Sequence, residues 1–239
     1  MKTGFRVLIA AAVLCLVTSM ALAGGGGLSN NLHIAYYQWY RSVAHDGGWS
    51  HWEGNDHDPP DDVSSCFYPV LGAYSSMDKA AIEKQMEWIK RSGIGVALLD
   101  VWTIGGETEI PTMTSMDIAA SKGIRCAFYL EPYHVGGEYR TINDVEAQIH
   151  YLYDTYGNHP AAYKISRPTQ WGPSSAPRMV FYSFSSFANI TEADWAAYMD
   201  RARNTAYDPF LIGQPGSPGT MTNCHWDGLT PYDGFSVDP

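Results

Sequence analysis

Apolar positions along this chain alternate between two spacings. Compact apolar runs occur at "LHIAYYQWY" (32–40), "IGVALLDVW" (94–102), "IRCAFYLEPY" (124–133), "RMVFYSF" (178–184), "PFLIGQP" (209–215) and "WDGLTPY" (226–232), and they predict six strands. The stretches between them carry helical spacing. "DKAAIEKQMEWIKRSG" places Ile82, Met86 and Ile89 on one face and stops at Gly93. "TMTSMDIAASKG" predicts the next helix, and 141–157 another, with Val145, Ile149, Leu152 and Tyr156 turned inward. A fourth, at 191–203, opens with a capping box from Thr191 to Asp194.

Strand–helix alternation with strands apolar on both faces predicts an α/β protein built on a parallel sheet. Polar or aromatic residues recur where the strands end: Tyr40, Asp100 with Trp102, Glu131, Gln214 and Tyr232. A (β/α)8 barrel builds its site from such strand ends, whereas a doubly wound sheet calls for a Gly-rich phosphate turn after the first strand, and none follows here. Six strands do not close the usual barrel, so an incomplete (β/α)8 barrel is expected.

The N-terminus changes the picture of where the fold begins. Lys2 and Arg6 precede an apolar run from Val7 to Val17, and Ala21-Leu22-Ala23 supplies small residues for cleavage. Residues 1–23 therefore read as a secretory signal peptide, 24–31 as a flexible Gly-rich joint, and 32–239 as the barrel segment. No stretch suits a bilayer span, and secretion or export to a periplasm is the expectation.

Charge and composition narrow the partners. A formal net charge of -10 argues against nucleic acid and anionic membranes. Sixteen Tyr and eight Trp suit a wet cleft that stacks on the apolar faces of a ligand, though many can serve the core. Past the signal, Cys66, Cys126 and Cys224 leave an odd number, with Cys126 in an apolar strand as a core residue and no zinc spacing among them. The loop "HWEGNDHDPPDD" crowds His51, Asp56, His57, Asp58, Asp61 and Asp62. It reads as a solvated acidic loop stiffened by Pro59 and Pro60, with a hard-cation site as the alternative, and neither a metal nor a cofactor is expected. Its length leaves room for a lid or cleft wall. "NIT" (189–191) matches a glycosylation acceptor, but Thr191 is the better helix cap.

"FYLEPYH" (128–134) carries the most chemistry. The strand breaks at Pro132, leaving the Glu131 carboxylate between aromatic rings, where it needs a partner, a cleft or a ligand. Trp102 stands one step past a buried strand and is either core or cleft wall.

"YYQWY", "DPPDDVSSCFYPVLGAYSSMD", "IGV" leading to Trp102, "EPY", "YGNHPA" and "WDGL", in that order, resemble glycoside hydrolase family 99, the endo-α-1,2-mannosidases and endomannanases. The likeness runs from about residue 32 to about 235 and implies a (β/α)8 barrel acting on α-mannan or a related oligosaccharide. It implies that Glu131 contacts sugar, that Trp102 lies against the nonreducing-side sugar, and that Tyr37 and Tyr40 are cleft tyrosines. Tyr133 joins them as Glu131's neighbour, and Tyr232 matches less closely, since the family's "YTYF" is here "TPYD".

The resemblance also implies an endo-acting, retaining reaction through a 1,2-anhydro sugar, run by a Glu-x-x-Glu pair late in the barrel. The last glutamate of this chain is Glu192, so no catalytic pair is identified and a piece of a longer enzyme, inactive by itself, is expected. Two alternatives remain: a noncatalytic glycan-binding homologue, and a hydrolase of another α-glycan using Asp100 and Glu131 as the internal pair.

Overall fold

A computed structural model describes residues 27–134, 137–167, 176–214 and 216–231. Its strands are β1 (Ser29–Tyr36), β2 (Ile94–Val101), β3 (Arg125–Leu130), β4 (Lys164–Ile165), β5 (Arg178–Ser183), β6 (Phe210–Gly213) and β7 (Gly228–Leu229). Its helices are α1 (Val43–Asp46), α2 (Lys79–Arg91), α3 (Thr112–Lys122), α4 (Ile142–Tyr156), α5 (Glu192–Ala202) and α6 (Pro218–Asn223), with a 3-10 turn at Gly54–Asp56.

Six strands are parallel and run in chain order, β1-β2-β3-β5-β6-β7, while β4 pairs antiparallel with β5 off that path. Sequential order is the winding of a barrel; a doubly wound sheet reverses direction midway. The sheet is also curled. His33 Nδ1 on β1 lies 2.7 Å from the Tyr182 hydroxyl on β5, although two strands separate them in the sheet. On a flat sheet that separation is about 14 Å, three strand spacings. The result is an incomplete (β/α)8 barrel with β1 and β7 at its edges. Leu32 and Ile34 on β1 remain exposed.

Period-two alternation divides the apolar residues into two layers. Val96, Leu98, Ala127, Tyr129, Val180, Tyr182 and Phe210 fill the concave side. Their neighbours Ala97, Leu99, Val101, Cys126, Phe128, Leu130, Met179, Phe181 and Leu211 meet the helices outside. Ile82, Met86 and Ile89 of α2, and Val145, Ile149, Leu152 and Tyr156 of α4, are buried in that outer layer as their spacing predicts. Thr191–Asp194 forms the capping box read from the sequence, and Thr141–Asp144 forms a second one at the start of α4. Gly93 and Gly123 leave α2 and α3 with φ of 75° and 79°, which suits a residue without Cβ.

Three differences from the sequence reading concern the elements. The first strand ends at Tyr36, so Tyr37–Tyr40 belong to the loop above it; there the Gln38 amide turns aside to donate to Thr108 O at 2.9 Å and Thr112 Oγ1 at 3.1 Å. The last strand keeps only Gly228–Leu229 of the expected seven residues. Helices α1 and α6 and the short β4 were not expected. Cys66 is exposed, whereas Cys126 and Cys224 are buried thiols. Residues 1–23 and Tyr232 lie outside the described residues. Among the described residues no helix is long and apolar enough to cross a membrane.

Candidate functional site

The C-terminal ends of β2 and β3 bring two carboxyl groups together. Asp100 pairs in register with Tyr129, so Asp100, Tyr129 and Glu131 all face the concave side, with Glu131 one step beyond the end of β3. Asp100 is fully buried and Glu131 is 6 % exposed. Burial drives the Asp100 carboxyl well above its ordinary range, and the neighbouring Glu131 charge pushes it further. Burial likewise raises Glu131 to about 7, against the pull of a hydrogen bond from Asp100 and of the Arg140 guanidinium.

Arg140 ties this corner to the scaffold. Its Nε donates to Tyr133 O at 3.0 Å and its Nη1 to Gln148 Oε1, while Gln148 Nε2 donates to Val101 O at 3.1 Å. The end of β2, the "EPY" turn and α4 are thus one hydrogen-bonded unit. A narrow crevice lined by Glu131, Arg140, Ser183, Ser186 and Asn189 opens beside it.

An aromatic ridge borders the carboxyls. Tyr37 stacks on Trp39 with centroids 4.3 Å apart, Trp39 meets Trp102 edge-on at 6.1 Å, and Trp102 lies 6.0 Å from Tyr133. His51, from the long acidic loop, stacks on the other side of Trp39 at 4.7 Å. That loop therefore contributes to the wall. The loop carrying Trp102 is pinned in place: Trp102 N donates to Thr108 Oγ1 at 2.8 Å, and Arg41 holds Glu107 O as well as the carbonyls of Gln38 and Tyr40. Glu109 accepts from the hydroxyls of Tyr151, at 3.2 Å, and Tyr156.

Several buried polar atoms in this region have no hydrogen-bond partner among the described residues: Trp39 Nε1, Thr103 Oγ1 and Gln38 Oε1. Buried polar groups are ordinarily satisfied, and donors and acceptors left open side by side suit a ligand that offers both. Hydroxyl groups do so. Indole faces beside them suit the apolar face of a sugar ring.

Of the residues expected from sequence, the structure gathers Tyr37, Asp100, Trp102, Glu131 and Tyr133. Tyr40 meets Trp39 edge-on at 6.2 Å and His51 at 6.3 Å behind the ridge, and its own ring stacks on Trp52 at 4.1 Å and lies 5.5 Å from Tyr74. Sequence reasoning missed Trp39, His51 and Arg140 as members of the site. Trp39 lay within a quoted motif. Arg140 gave no local signal, because only the fold carries it to Glu131. No group of three or more His, Cys, Asp or Glu arranged to hold a metal occurs among the described residues.

The model of the family described as "Glycosyl hydrolase family 99" matches residues 27–229. The chain belongs to glycosyl hydrolase family 99. It is 33% identical over 211 residues to glycoprotein endo-alpha-1,2-mannosidase of Xenopus laevis, covering 76% of this chain and 44% of the relative. It is 31% identical to the glycoprotein endo-alpha-1,2-mannosidase-like protein of Homo sapiens, covering 87% and 50%. The solved GH99 endo-alpha-mannosidase of Bacteroides thetaiotaomicron superposes with a TM-score of 0.71 at 27% identity, covering 84% of this chain and 61% of that one. The family 99 chain described here thus spans about half the length of the curated relatives it matches.

Proposed function

We propose that this family 99 chain supplies the glycan-recognising wall and floor of an endo-acting α-mannosidase. The carrying observation is the strand-end cluster, in which unpartnered buried donors and acceptors around Trp102 adjoin the Trp39–Trp102–Tyr133 ridge. Family membership supports a mannose-containing glycan as the substrate class. Trp102 and Tyr133 present ring faces to a mannose unit, and Glu131, beside Arg140, takes hydrogen bonds from its hydroxyls. Tyr37 extends the stacking surface through Trp39.

The bond-breaking step is proposed to be retaining and to pass through a 1,2-anhydro sugar: one glutamate removes the proton of the sugar's own 2-hydroxyl, and a second protonates the leaving oxygen. On this reading that step needs a Glu-x-x-Glu segment in addition to the residues of this chain. Groups that bind substrate and transition state equally do not speed cleavage. Export is part of the proposal, through residues 1–23, and N-terminal sequencing of the mature protein is expected to begin near Gly24.

The test is calorimetric binding of α-1,2-mannobiose together with product release from an α-1,2-linked mannoside. Binding without turnover is expected from residues 24–239, and turnover with retention from a chain extended through any downstream Glu-x-x-Glu. Absence of binding overturns the recognition role. Turnover by 24–239 that vanishes in Asp100→Asn or Glu131→Gln would replace this reading with the internal carboxyl pair.

A further inference from the structure

Two carboxyl groups and one cation share the corner at the ends of β2 and β3. Asp100 comes from β2 and Glu131 from the end of β3, and Arg140 is the guanidinium that acts on both. Arg140's own hydrogen bonds go to neutral oxygens, the Tyr133 carbonyl and the Gln148 amide. Of the remaining titratable groups nearby, Tyr133 lies next to Glu131 along the chain, and Asp144 at the start of α4 is engaged by Thr141 and by His134 at 3.3 Å. One buried positive charge can balance one buried carboxylate. A second ionised carboxylate at a fully buried position, with the Trp102 side chain to favour its charge, has little to offset its lost hydration.

The Asp100–Glu131 contact has the same implication. Asp100 lies in register with Tyr129, two residues before Glu131 on the same concave side, and the two buried carboxyls are within hydrogen-bonding reach of each other. Two carboxylates have only acceptors, so a bond between them exists only when one carries a proton. Asp100 is the deeper of the two, and Glu131 is the one that reaches the crevice beside Arg140.

We propose that Asp100 stays protonated at neutral pH and donates its carboxyl O–H to Glu131, as a positioning residue that keeps Glu131 ionised to accept a sugar hydroxyl. The proton-sharing half stands on the geometry of this corner; the sugar half rests on the proposed function. The pair then carries a single negative charge, balanced by Arg140. As pH falls through the range near 7 where Glu131 takes up a second proton, the acceptor is lost and glycan binding weakens. Removing the Asp100 donor shifts that loss to higher pH, because ionised Glu131 loses the hydrogen bond that favours its charge.

Carboxyl ¹³C NMR of the ligand-free chain tests the proton directly. A resonance at the protonated shift at neutral pH is expected, absent in Asp100→Asn, together with one titrating near 7, absent in Glu131→Gln. If no protonated carboxyl disappears in Asp100→Asn, the proposal is overturned. Binding of α-1,2-mannobiose across pH tests the positioning. Asp100→Asn still offers an N–H to Glu131 and is expected to stay within about threefold of the unmodified chain at neutral pH; Asp100→Leu offers none and is expected to bind about tenfold more weakly, with its acid limb moved upward. If Asn weakens binding as much as Leu, Asp100 acts as a charged sugar ligand and the positioning role fails. A chain that shows the shared proton but binds no mannobiose at any pH leaves the proton pair standing and removes the proposed function.

Discussion

The indole of Trp102 meets that of Trp39 edge to face, with ring centroids 6.1 Å apart. Edge-on packing leaves a broad face of Trp102 free of Trp39, and Tyr133 covers part of it only obliquely, at 6.0 Å and 40°. Trp102→Ala is expected to weaken α-1,2-mannobiose binding by about 1–3 kcal/mol through lost stacking and burial. Because Trp102 is half-buried in a loop held by other bonds, its melting temperature should move little. Unchanged affinity in calorimetry would leave Trp102 a packing partner of Trp39 alone.

The sequence made the barrel legible because its strands and helices speak in local periods. Buried β2 and β3, and the capped helices α4 and α5, need no distant information to be recognised. The aromatic run Tyr36–Tyr40 misleads for the same reason: four aromatic rings in five residues suggest a strand, and only the tertiary partners of Gln38 turn it into a loop. Helix α6 offers a cap at Ser217 and a proline at its first position, but its Gly, Thr and Asn carry no apolar stripe. In the site, Asp100, Trp102 and Glu131 could be picked out as costly or bulky residues at strand ends. Arg140 and His51 could not, since their roles depend on which loops the sheet brings together.

Gly213 at the end of β6 illustrates a constraint of close approach. A Cβ placed there would lie 2.1 Å from the Trp226 ring, which is fully buried and packs against Trp195 and Phe187. Gly213→Ala is expected to cost about 1–3 kcal/mol by overpacking, measured by urea denaturation. A loss under about 0.5 kcal/mol would mean that Trp226 shifts freely, against its packing.

At the opposite end of the barrel, Arg167 joins the loop after β4 to the starts of β6 and β7. Its guanidinium bonds Asp208 and Asp227, both fully buried as side chains, and Arg203 bridges the same two carboxylates. Burial alone would raise the Asp208 carboxyl, but the hydrogen bonds from Arg167 hold it below its ordinary range. Arg178 also pairs with Asp208 at 3.4 Å, so Arg167→Met leaves two cations on the two carboxylates but removes the buried hydrogen bonds that join them; a loss of about 3–5 kcal/mol of stability is expected, with sugar affinity retained in whatever fraction folds. A variant as stable as the unmodified chain would reduce the cluster to a neutral bystander.

Glu131 makes the stability of the fold depend on pH in a definite direction. Its carboxyl is raised from 4.5 to about 7 by burial, so the folded protein holds the proton more tightly than the unfolded chain. That contribution is complete below the ordinary carboxylate range and is lost as pH rises to about 7; a displacement of this size corresponds to roughly 3 kcal/mol. Asp100, raised as well, acts in the same sense at higher pH. Two histidines, His33 and His51, are lowered by partial burial and oppose it, since their share is present at neutral pH and fades on acidification. Comparison of variants separates these terms. Glu131→Gln keeps the shape of the side chain, cannot ionise, and leaves both histidines in place. It should therefore match the unmodified chain at about pH 5 and exceed it in stability at about pH 8, while binding mannobiose more weakly at the higher pH. Thermal melts at the two pH values measure the first effect and calorimetry the second. A variant less stable than the unmodified chain at about pH 8 would mean that ionised Glu131 is anchored by the scaffold, chiefly by Arg140, and is not held open for a ligand.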